Sequence, residues 1–128
     1  MSTILVVDDD PISRKALVAI LSYEGHEILE ATDGADGLNV ARRHHPQLII
    51  SDVRMPTMDG HELVRHIRAD QELATTAVIF YTASYHPREA QAAAAKCRVD
   101  RVITKPCSMR DFLVAVESVI STVTPPSP

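Results

Sequence analysis

Tryptophan is absent from this chain, and phenylalanine and tyrosine together supply only 4% of its residues. A core with so few rings has to be mainly aliphatic. Cysteine is scarce too. Cys97 and Cys107 lack the spacing of a metal-binding set and imply two reduced thiols in a cytosolic protein. Positive charge is not in excess: 13 Lys and Arg stand against 17 Asp and Glu, for a net charge of -4. That balance offers no footprint for a phosphate backbone and argues against direct nucleic-acid binding by this domain. No apolar stretch approaches the roughly 20 residues of a membrane span, so no membrane is expected among the partners. Met1-Ser2-Thr3 enters a strand-like run directly, which leaves no room for a signal peptide. What is present is ordinary for a globular protein. Of the 128 residues, 45% are hydrophobic and 23% charged, enough for one domain around one core.

The apolar residues fall into short runs separated by helical patterns. Thr3–Val7 is continuous and apolar, as a buried strand is. Pro11 follows where the first turn of a helix tolerates it. Ile12, Ala16, Leu17 and Ile20 then make a helical face down to about Tyr23, and Gly25 breaks it. His26–Ala31 alternates, as a half-exposed edge strand would. Ala35, Leu38 and Ala41 mark a second helix, stopped by Pro46. Leu48–Ile50 is the third strand, and Asp59 caps a helix carrying Leu63, Val64 and Ile67. Ala77–Tyr81 is the fourth strand, His86–Cys97 an alanine-rich helix, and Arg101–Thr104 the fifth strand. Ser108 caps a last helix with Phe112, Val116, Val119 and Ile120 on one face. Strands that alternate with helices imply an α/β fold: a doubly wound parallel sheet, helices on both faces and right-handed crossovers. Thr124-Pro125-Pro126-Ser127-Pro128 cannot continue a helix and reads as a linker-like tail.

Four of the strands end on polar groups. Asp8-Asp9-Asp10 closes the first, Asp52 the third, Thr82 the fourth and Lys105 the fifth. In open parallel sheets the rim at the strand C-termini is where ligands bind. Acids, a lone acid, a hydroxyl and an ammonium on one rim suit an Mg²⁺-dependent phosphoryl acceptor. Other groups have plainer readings. Asp10 is a helix cap, Cys97 and Cys107 are half-buried packing residues, and His44-His45 is a helix C-terminus rather than a metal pair, because adjacent helical residues face different ways.

Val6-Val7-Asp8-Asp9-Asp10-Pro11, Ile50-Ser51-Asp52-Val53-Arg54-Met55-Pro56-Thr57-Met58-Asp59-Gly60, Tyr81-Thr82-Ala83-Ser84 and Thr104-Lys105-Pro106 together resemble a response-regulator receiver domain, the phosphoacceptor module of bacterial two-component signalling. The likeness runs from about Thr3 to Ile120. It implies a flavodoxin-like, five-stranded sheet in the order 2-1-3-4-5 with five helices, residues 1–121 as the receiver unit and 122–128 as a tail or the start of an interdomain linker. It implies that Asp52 accepts a phosphoryl group from a sensor histidine kinase or phosphotransfer protein. Mg²⁺ would be held by Asp8, Asp9, Asp52 and the backbone carbonyl of Arg54, with Asp9 a direct ligand. Lys105 would pair with a phosphoryl oxygen, and Thr82 would turn its hydroxyl to another. A cis Lys105–Pro106 peptide is implied as well. Such a module is a switch that catalyses its own phosphorylation and slow dephosphorylation. It signals to a downstream output domain or protein through the fourth helix, fifth strand and fifth helix.

The chain also departs from that pattern. Val102 stands where many receivers carry a switching aromatic ring, so no ring rotation is expected there. Arg98-Val99-Asp100-Arg101 replaces a segment in which a glycine usually ends the helix. Two other functions compete with the phosphorylation switch. One is a degenerate receiver that binds partners without phosphorylation, which Val102 keeps open. The other is a haloacid-dehalogenase-type phosphohydrolase, suggested by Asp8-x-Asp10, which leaves Asp52 without a role and lacks room for a cap over the substrate.

Overall fold

The computed structural model describes residues 2–83, 86 and 89–123. Five strands and five helices alternate: β1 Thr3–Val7, α1 Pro11–Tyr23, β2 Glu27–Ala31, α2 Gly34–His44, β3 Leu48–Ser51, α3 Gly60–Ala69, β4 Ala77–Thr82, α4 Ala90–Cys97, β5 Arg101–Thr104 and α5 Met109–Val123. All strand pairs are parallel and the order is β2-β1-β3-β4-β5, as the resemblance implies.

Period-two alternation sorts the strand side chains into two aliphatic layers. Ile4 and Val6 join Leu48, Ile50 and Ile79 on one face, where Leu17 and Leu21 of α1 and Phe112 and Val116 of α5 cover them. Leu5 and Val7 join Ile49, Val78 and Phe80 on the other, under Leu38 of α2 and Leu63, Val64 and Ile67 of α3. With both faces covered, the strands read as unbroken apolar runs in the sequence. The helix starts follow local chemistry. Asp10, Asp59 and Ser108 accept from the amides of Ile12, Glu62 and Asp111 at 3.1, 2.9 and 3.1 Å.

Several boundaries and one face differ from the sequence expectation. Ile12 is 81% exposed, whereas α1 packs through Leu17 and Leu21. The helix is apolar on so many positions that its phase is set by docking against the sheet. β2 begins at Glu27 because His26 turns inward instead, with Nδ1 accepting from the Ser2 amide at 3.2 Å and Nε2 facing Glu117 Oε1 at 2.8 Å. β4 extends to Thr82. α4 starts at Ala90 rather than His86, and Glu89 makes no side-chain cap. Arg98 takes the left-handed cap position of α4 at φ 59°, the place a glycine fills without strain. Its carbonyl is gripped by Arg68 Nε and Nη2 at 3.1 and 2.9 Å. The remaining guanidinium nitrogen donates to the carbonyls of Ala74 and Thr76 at 3.1 and 2.6 Å.

Candidate functional site

Three strand ends meet at one rim. The Asp8 amide donates to Ala31 of β2 and the Asp52 amide to Val7 of β1, both continuing the sheet's ladder by a step. The two acids therefore leave the sheet side by side. Asp9 stands next to them, and one carboxylate oxygen from each of Asp8, Asp9 and Asp52 lies within 4.8 Å of the others. Asp8 is only 2% exposed, Asp52 is half-buried and Asp9 is exposed, so the cluster is open on one side.

Each buried carboxylate is oriented by a nearby amide. Asp8 Oδ1 accepts from the Asp10 amide at 2.9 Å and Asp52 Oδ1 from the Val53 amide at 2.7 Å. Their Oδ2 atoms face Lys105, whose Nζ stands 3.5 Å from Asp8 and 3.4 Å from Asp52. Burial pulls the Lys105 ammonium toward deprotonation, but the charges of Asp52 and Asp8 outweigh it and hold its pKa above the ordinary lysine value. The Lys105–Pro106 peptide is cis, and the Lys105 amide donates to the Thr82 carbonyl at 2.9 Å. Thr82 is fully buried at the end of β4, one residue beyond the position that aligns with Asp52. Arg54 has an exposed side chain in the loop after β3. Asp10 is exposed and serves as the α1 cap.

Four further residues shape the site through contacts that are distant in the chain. Ser13 Oγ lies 3.2 Å from Lys105 Nζ. Arg14 Nη1 donates to the Asp8 carbonyl at 2.8 Å. Gly60 brings its amide to the Val53 carbonyl at 2.8 Å, and a Cβ there would sit 2.5 Å from the Asp52 carbonyl oxygen. Gly34 does the same to the far end of the loop, with a Cβ 2.4 Å from the Met58 carbonyl oxygen. The Asp-Gly pair at 59–60 signals a turn or cap in sequence, but nothing local reports this close approach of two backbones.

The chemistry of the donor set is hard: every candidate ligand is a carboxylate or carbonyl oxygen, which suits a divalent cation such as Mg²⁺. A cluster of three acids with a lysine beside it can hold such a cation and a phosphoryl group together.

Comparison with known proteins agrees with this geometry. The family model of the response regulator receiver domain matches residues 4–117. PilH of Pseudomonas aeruginosa is 37% identical over 82 residues, covering 64% of this chain and 68% of that protein. The sensor histidine kinase RcsC of Escherichia coli K12 is 40% identical over 106 residues, 83% of this chain, which spans only 11% of the kinase. Among solved structures, the signal receiver domain of a histidine kinase from Syntrophus aciditrophicus superposes with a TM-score of 0.87 at 32% identity, covering 99% of this chain and 96% of that one. An open α/β sheet with three acids and a lysine on its C-terminal rim, matched along nearly its whole length by one family, places this chain among the response-regulator receiver domains of two-component signalling.

Proposed function

We propose that Asp52 is the phosphoacceptor of this receiver, that Mg²⁺ is its cofactor and that Lys105 and Thr82 complete the site. The observation that carries the reading is the pair of contacts from Lys105 Nζ to Asp52 and Asp8, with Asp9 alongside. The donor is a phosphohistidine on a sensor histidine kinase or phosphotransfer protein. An Asp52 carboxylate oxygen attacks phosphorus, the P–N bond breaks, and the histidine leaves. Asp9 and Asp52, helped by Asp8 and the Arg54 carbonyl, would hold the cation, which when bound offsets the repulsion between carboxylate and phosphoryl group. The Val53 amide fixes the Asp52 carboxylate plane before reaction, so little reorganisation is needed. Lys105 exchanges its Asp52 contact for a phosphoryl oxygen. Thr82 turns its hydroxyl to another.

The exposed Ile12, at the start of α1 beside the acid cluster, offers the donor protein an apolar contact. Movement of Thr82 is passed to the segment that follows β4, and the output surface is α4, β5 and α5, facing a downstream domain or protein. Val102 has no ring to rotate, so the signal is a displacement of backbone. Residues 1–121 form the working unit, 122–128 are a tail or linker, and the setting is the cytoplasm. No helix among the described residues is long and apolar enough to cross a membrane.

The test is phosphoryl uptake from acetyl phosphate with Mg²⁺, read by mass. The parent gains one phosphoryl group and Asp52→Asn gains none. Equal uptake by the variant removes Asp52 from its role, and no uptake by the parent favours a receiver that works by binding alone.

A further inference from the structure

Between α3 and α4, away from the acid cluster, runs an open groove of about 1010 Å³. Among the described residues its charged lining is one-sided: Arg65 and Arg68 from α3, and Lys96 and Arg98 from the end of α4, against the single acid Glu89. This stands out in a chain whose net charge is -4. Arg68 is already engaged, to the carbonyls of Ala74, Thr76 and Arg98 and to Asp100 at 3.7 Å. Arg65, Lys96 and Arg98 differ. All three are exposed, and among the described residues none has an ion pair. The floor between them is apolar, made by Val64 and Ala93 with Ala92 on the wall.

The geometry points to an interaction surface for an acidic, amphipathic peptide segment of a partner protein, lying along the α3–α4 groove. The disposition of charge favours this occupant over a small phosphate-bearing molecule. A compact anion needs several cations converging on one point, and the deepest cation here, Arg68, is consumed by backbone carbonyls. The free cations come from different places along the groove, Arg65 on α3, Lys96 in the last turn of α4 and Arg98 at its cap. Carboxylates spaced along an extended chain can meet them in turn, while an apolar side chain between those carboxylates settles on the small-residue floor. The thin alanine wall is what leaves room for it. This surface is separate from the α4–β5–α5 face and needs no phosphoryl group on Asp52.

The test uses the unphosphorylated chain and a short fluorescent peptide that alternates glutamate and leucine, with a lysine–leucine peptide as control. Fluorescence anisotropy should show salt-sensitive binding of the first peptide and none of the second. The charge reversal Arg65→Glu with Lys96→Glu should weaken binding about tenfold or more, and Ala92→Leu, which fills the wall without changing charge, should weaken it as well. Amide shifts on titration should fall on residues 61–69 and 92–98. Binding that survives both variants, or shifts that spare those residues, overturns the proposal. So does pyrophosphate saturating the same residues while the peptide leaves them untouched, because the groove would then belong to a small anion.

Discussion

Replacing Gly60 by alanine is the sharpest probe of how the fold holds Asp52. The added Cβ would lie 2.5 Å from the Asp52 carbonyl oxygen, 3.0 Å from Val53 Cα and 3.2 Å from Phe80 Cε1. Two of these neighbours are backbone, and the third is a fully buried ring, so none yields easily. Reaching an ordinary contact near 3.4 Å from the Asp52 oxygen requires α3 and the end of β3 to separate by roughly 0.9 Å. That shift also stretches the Gly60–Val53 hydrogen bond from 2.8 Å. Overpacking of this kind costs about 1–3 kcal/mol, or roughly 3–6 °C of Tm per kcal/mol at this chain length. The same displacement moves Asp52 relative to Lys105, and misplacement of this size slows a positioned reaction on the order of tenfold to a hundredfold. Calorimetry and acetyl-phosphate uptake read the two effects separately. Gly25→Ala is the control. Gly25 has φ 90° but open space around it, so alanine there costs about 1 kcal/mol through backbone strain and leaves uptake unchanged. A Gly60→Ala protein that melts with the parent and accepts phosphoryl groups at the parent's rate would refute the reasoning.

Arg68→Met should lose about 2–4 kcal/mol, because the carbonyls of Ala74, Thr76 and Arg98 lose a half-buried donor; urea unfolding within 1 kcal/mol of the parent would deny Arg68 its clamping role. Glu30 is held below its ordinary carboxylate value chiefly by its hydrogen bond to Lys15, with Arg14 adding to it against the opposing effect of burial. A depressed folded pKa contributes stability above the unfolded value of 4.5 and loses it as pH falls through the folded one. Glu30→Gln should therefore cost about 0.5 kcal/mol at pH 7 and converge with the parent in acid; a gap that persists at pH 2.5 contradicts the linkage. Ile12→Ala should stay within about 0.5 kcal/mol of the parent, since the side chain is 81% exposed, while phosphotransfer from a cognate kinase slows.

The strands and their polar ends were legible because a doubly covered sheet writes itself as apolar runs. Leu48, Ile49, Ile50 and Ser51 are all buried, and Asp52 follows at the rim. The phase of α1 was not legible. Seven of its residues between Ile12 and Leu21 are apolar, so more than one stripe fits, and only docking selects the one through Leu17 and Leu21. The start of α4 was hidden for the opposite reason. An alanine-rich stretch has little contrast, and Glu89 supplies no cap to mark the boundary. The roles of Ser13, Arg14, Gly34 and Gly60 depend on residues distant in the chain, so no local pattern announces them. The absent glycine before Val99 was readable as a departure. Its remedy was not, because Arg68 lies 30 positions away.

α4 is anchored to α3 and to the sheet at one end. At its C-terminus, Arg68 grips the Arg98 carbonyl, and Asp100 locks to Val78 of β4 through amide contacts of 2.7 and 2.8 Å. At its N-terminus the Glu89 side chain makes no capping hydrogen bond. A rod clamped at one end is a lever, and any tilt of α4 takes Arg98 as its fulcrum. Eight residues make an arm of about 12 Å. A tilt of roughly 10° about that fulcrum sweeps Ala90 through about 2 Å and leaves Cys97 nearly still. A partner resting on the Ala90 end would feel the whole of such a stroke. One seated beside Lys96 and Arg98 would feel almost none of it, so the same short helix could carry a switched contact and a constant one.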